Sequence, residues 1–166
     1  MNQTNLMPSS FVLFQNPLMM NKWRPTIVLD TPDGHNRQLV VSLSSQRFDY
    51  SYQEYFPKNE DTRLRQKSCL ALHSYMYVSS KTLRRCPFLH SWNTPSTSPY
   101  WDQVLYEWDQ FVSDGDKDDE SRYIHPSNPR QKTMFWRRHR KLMSIPDSIR
   151  TSDQLTEDML KSFQLS

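Results

Sequence analysis

Cys69 and Cys86, the two cysteines of the chain, are each followed four positions later by a histidine, His73 and His90. Thiolate and imidazole are ligands that Zn²⁺ prefers, and a set of two cysteines and two histidines would close a tetrahedral structural site. The spacing sets a condition on local structure. Residues four apart on a helix lie roughly 5–6 Å apart on one face and can share an ion, whereas about 13 Å would separate them on a strand. Chelation therefore requires helix at both pairs, and Pro87, directly after Cys86, permits one there only if Cys86 stands at its start. The spacing matches no common zinc-finger pattern, and simple burial of Cys69 and His73 as packing groups outweighs structural zinc.

A second group lies further along. Arg130, Lys132, Arg137, Arg138, Arg140 and Lys141 fall within twelve residues, with Phe135 and Trp136 among them. Arginine and lysine neutralise phosphates while an aromatic ring stacks on an exposed base, the combination used by proteins that bind single-stranded nucleic acid. On a helix, Arg137, Arg140 and Lys141 share a face while Phe135 and Leu142 turn to the other. The competing reading is an ordinary amphipathic helix. Its basic side would be solvated or paired with the acidic run just upstream, which holds Asp114, Asp116, Asp118, Asp119 and Glu120.

Support for catalysis is weaker. Asp30, Asp33 and His35 sit in and beside a turn, where Asp and His are common for turn reasons alone. Gly34 and Gly115 are the only glycines, so neither a phosphate-cradling P-loop nor a dinucleotide fingerprint can be built, since each needs several glycines close together. No Gly-x-Ser-x-Gly or His-Glu-x-x-His motif occurs. The chain reads as a binding protein and not as an enzyme.

The elements that must position these groups are uneven in clarity. Residues 26–30 and 38–43 are β-branched and aliphatic runs on either side of Pro32-Asp33-Gly34, which predicts a hairpin with Gly34 supplying a positive φ. Residues 48–56 are rich in tyrosine and fit a third strand or a loop. Residues 62–80 fit a helical stripe (Leu64, Cys69, Leu70, His73, Met76, Tyr77) and also strand alternation (Leu70, Leu72, Met76, Val78), with the helix preferred. The clearest helix starts at Ser98-Pro99, with Trp101, Val104, Leu105, Trp108, Phe111 and Val112 at helical spacing. Two more helices are expected, from about 130 to 143, stopping before Pro146, and over 152–163.

These segments predict one small α+β domain with an N-terminal β-hairpin and a helical C-terminal half. An irregular arm covers 1–22, an α+β core 23–112, an acidic linker 113–129 and a helical segment 130–166 that carries the basic-aromatic helix. The 166 residues suit one core, and the 36% apolar content is low but includes 21 aromatic residues, which bury large areas each. No apolar run is long enough to span a bilayer. The start of the chain lacks the pattern of a secretory signal and two cysteines make a thin staple, so an intracellular protein, cytoplasmic or nuclear, is expected. A net charge of +3 and a pI near 8.9 say little about partners. Scarce glycine with abundant methionine, tryptophan and proline suits a rapidly evolving or viral accessory protein.

The functional expectation is an accessory or regulatory protein that binds RNA or single-stranded DNA through residues 130–141. The alternative is a protein-interaction or adaptor module that docks a partner, such as an acidic protein surface, and binds neither nucleic acid nor metal.

Overall fold

A computed structural model describes residues 5–45, 50–114 and 129–165, and within these the side chains of all but 114 and 129–135. The expected α+β class is observed, with an antiparallel sheet toward the N-terminus and helices in the C-terminal half. The sheet is formed by β1 (Ser10–Asn16), β2 (Lys22–Val28), β3 (Arg37–Ser44), β4 (Cys69–Leu70), β5 (Met76–Ser79) and β6 (Phe88–Ser91). Its order is β4-β3-β2-β1-β6, with β5 also paired to β3. The helices are α1 (Ser80–Arg85), α2 (Ser98–Asp114), α3 (Pro129–Met143) and α4 (Glu157–Ser162).

The expected β2–β3 hairpin forms, with Thr26 opposite Ser42 and Val28 opposite Val40. Its turn works differently from the expectation. Gly34 does not take a positive φ; Asn36 does, at 57°, and asparagine tolerates that region better than most residues. Asp33 holds the reversal, its Oδ1 accepting from the amides of His35 at 2.8 Å and Arg37 at 3.0 Å.

Two expectations are corrected by pairing across the sheet. Residues 1–22 are not wholly irregular, because β1 lies between β2 and β6 with Phe11 and Val12 fully buried. Residues 62–80 are not a helix. They supply β4, a 3-10 turn at Leu72–Ser74 and β5, with Met76 opposite Val40 and Val78 opposite Gln38. Leu70, Leu72, Met76 and Val78 are all buried in that arrangement, so the alternating pattern, completed by partners distant in sequence, prevails over the helical one.

Both faces of the sheet are covered. Phe11, Ile27, Val41 and Leu43 point to one side, where α2 contributes Val104 and Phe111 and α3 contributes Trp136. Val12, Phe14, Val28 and Val40 point to the other, against Met76, Leu83, Leu142 and Ile145. Strand β3 is therefore buried on both sides, Val41 and Leu43 in one core and Val40 in the other. Helix α2 opens at Ser98, as expected, with the Thr97 carbonyl accepting from the amides of Tyr100 and Trp101. Leu105 and Val112, read as part of its apolar stripe, are exposed, while Glu107 is fully buried. The last helix is shorter than expected: α4 begins after Thr156, whose side chain accepts from the Met159 amide. The expected acidic linker at 113–129 falls mostly outside the described residues.

Candidate nucleic-acid interface

Helix α3 is held by a stripe of three side chains. Trp136, His139 and Leu142 are buried, while Arg137, Arg138 and Arg140 face solvent and Lys141 is half-buried. Positions 136, 139 and 142 recur every three residues and so stay on one side of a helix. The Trp136 and His139 rings stack with centroids 5.1 Å apart and 15° between planes. His139 Nδ1 is hydrogen-bonded to the Tyr50 hydroxyl at 2.9 Å. Trp136 packs with the first core and Leu142 with the second. The helix thus bridges the two faces of the sheet.

The C-terminal end of α3 is tied down by Arg150, which is fully buried. Its guanidinium donates to the carbonyls of Ile145 at 3.1 Å, His73 at 3.0 Å and Tyr75 at 3.2 Å, and also to that of Leu142. It lies 4.0 Å from the centre of the Tyr75 ring, whose hydroxyl donates to Asp147. A cation that spends its donors on carbonyls from several segments fixes them relative to one another.

Between α3, α4 and the β1–β2 connection runs a groove of about 750 Å³. Its apolar lining is Pro17, Leu18, Met20, Leu142, Leu160 and Leu165, its cations are Arg137, Arg138, Lys141 and Lys161, and Glu157 is its one acid. The β1–β2 wall is set by buried Asn16. Its Nδ2 donates to Ser42 Oγ at 2.9 Å and to the Ser74 carbonyl at 3.2 Å, and its Oδ1 accepts from the Leu18 amide at 2.9 Å. Met20 and Asn21 then turn the chain with φ of 59° and 56°.

The charges of this face interact. Partial burial, and then the neighbouring guanidinium of Arg24, lower the proton affinity of Arg138, with Tyr50 acting the other way; arginine nonetheless stays charged in proteins. Arg24 lies on β2, so the basic face extends from the helix onto the sheet.

Of the sequence-predicted binding residues, the structure places Arg137, Arg138, Arg140 and Lys141 on the open side of α3. Trp136 is not available as a stacking ring: it is 8% exposed, and Arg140 lies 5.2 Å from its ring centre. The side chains of Arg130, Lys132 and Phe135 lie outside the described ones. Arg24 and Lys161 were missed as neighbours of this face, because no local spacing links them to α3.

The four candidate zinc ligands are not brought together. Cys69 is on β4 and His90 on β6, the two ends of the strand order, which at about 4.8 Å per strand puts them roughly 19 Å apart. Cys69 Sγ is 3.6 Å from the Ser44 carbonyl, and His73 lies in the 3-10 turn, its ring centroid 6.3 Å from that of His139. Cys86 closes the C-terminal end of α1 instead of opening a helix, and the chain from Pro87 to His90 is extended. His90 stacks on Phe11 at 4.6 Å. Among the described residues, no three of His, Cys, Asp and Glu form a group able to hold a metal ion.

Compared with protein-family models and with curated proteins, the chain matches none.

Proposed function

We propose that the protein binds nucleic acid through the open side of α3, making its contacts chiefly to phosphates. The observation that carries this reading is the gathering of Arg137, Arg138, Lys141 and Lys161 along one groove with a single acid, Glu157, on a helix whose other side is anchored in both cores. A rigid array of cations gains from an anionic polymer by releasing its condensed counterions. Burial of Trp136 removes the base-stacking role expected of that ring and leaves the phosphate contacts.

The test is a triple variant, Arg137→Ala, Arg138→Ala and Arg140→Ala, titrated with labelled RNA and DNA at several salt concentrations. Affinity should fall at least tenfold, and the slope of log K against log salt should flatten by about 2, near 0.7–0.9 per lost phosphate contact. Equal affinity with an unchanged slope would remove the reading. A second reading has one observation in its favour: the aliphatic lining of the groove suits an acidic amphipathic helix of a partner protein. Under it, the purified protein carries no nucleic acid and its absorbance ratio at 260 and 280 nm is that of protein alone.

A further inference from the structure

We propose that Trp23, between Lys22 and Arg24 on β2, is the ring on which a base of single-stranded nucleic acid stacks while Arg24 and Arg138 hold the adjacent phosphates. The inference rests on the nucleic-acid reading above and adds to it a base-recognising residue and a preference for single strands.

Three observations meet at this place. First, Trp23 is 58% exposed, whereas Trp92 and Trp136 are 1% and 8% exposed and Trp101 and Trp108 pack against the first core. An indole left in water, in a chain whose other tryptophans are buried or half-buried, offers its ring face to a partner. Second, Arg24 and Arg138 come from different elements, β2 and α3, and the charge of Arg24 lowers the proton affinity of Arg138. The Nε of Arg24 is buried and has no hydrogen-bond partner among the described residues. A bound phosphate would accept from the terminal nitrogens of these guanidiniums. Third, the β2–β3 ladder runs only from Thr26 onward. Pro25, with no N–H, cannot extend it, and residues 22–24 pair with β1 alone among the described strands. Side chains alternate across a strand, so Trp23 lies to one side of that edge and Lys22 and Arg24 to the other. An extended nucleotide strand crossing the edge meets the ring and the cations in succession.

Strandedness follows from the ring. In a duplex the bases are already stacked on one another and offer edges and phosphates, while an unpaired base offers its whole face. Trp23 therefore contributes to single strands alone, and the cations contribute to both.

The experiment uses the full chain with fluorescein-labelled oligothymidylate and a duplex of the same length, folding being checked by circular dichroism. Trp23→Ala should weaken single-strand binding about tenfold, within the range for one lost base stack, and leave duplex binding and the salt slope unchanged. Trp23→Phe should recover most of that affinity, yet lose the quenching of tryptophan emission that oligothymidylate produces in the wild type. Wild-type single-strand affinity in Trp23→Ala, an equal loss for both ligands, or full quenching in Trp23→Phe would each overturn the proposal. If the arginine triple variant loses binding while Trp23→Ala does not, the nucleic-acid reading stands without this ring. If the wild type binds neither ligand, both fall.

Discussion

Several polar side chains in this molecule are placed where water cannot reach them, and three of them are histidines: His73, His90 and His139. Burial holds the His73 imidazole well below its usual range, and the charges of Arg138, His139 and Arg150 push it the same way. His90 is lowered by burial and then by Arg63. Both groups take up protons more readily in the unfolded chain, where the pKa is near 6.5. Stability is therefore full above that value and declines as pH falls from it toward the folded-state values. The thermal midpoint should drop between pH 7 and pH 5, above the range in which exposed carboxylates titrate, and His90→Phe should reduce part of the drop. A midpoint that is flat or rises over that interval would contradict the assignment. The burial of Cys69 and His73 as packing groups was the reading the sequence favoured, and both are fully buried; the burial of His90 was not legible. His73 and His90 stood out there only through their spacing from the cysteines, and spacing along the chain does not show that strands separate the two pairs.

At the scale of elements, legibility followed how local the deciding interactions are. Helix α2 could be read because Trp101, Val104, Trp108 and Phe111 recur at its own period, and the β2–β3 hairpin because its turn residues are adjacent. Residues 69–79 were misassigned because the same side chains satisfy two periods, and the choice was made by β3, some thirty residues upstream. Strand β1 was missed because Asn16, Pro17 and the neighbouring polar residues look like loop. In the fold Asn16 is a buried polar anchor, and Pro17 opens the 3-10 turn that follows. A deletion of residues 1–22 tests this element directly. If the segment were an arm, the remainder would fold. With β1 paired on both edges, the deletion exposes β2 and β6 and should abolish cooperative unfolding in denaturant. A cooperative transition with an unchanged midpoint would show that β1 is dispensable.

Over the whole molecule, one arrangement links fold to function: a sheet with two covered faces, and a helix that reaches both and turns its cations outward. Among the described residues, no helix is long and apolar enough to cross a membrane. The sequence located the cationic run of α3 and its helical form, since both are local. It did not show that Trp136 belongs to the core, nor that β2 and α4 bring Arg24 and Lys161 beside it, because those relations exist only in the folded chain. The central claim is that this assembled face binds the phosphates of nucleic acid, and the most direct measurement is the affinity of the unmodified full chain for a single-stranded oligonucleotide as salt is raised. With the four cations of the groove engaged, log K should fall linearly against log salt with a slope of about −3. No binding at low salt, or an affinity indifferent to salt, would contradict the account.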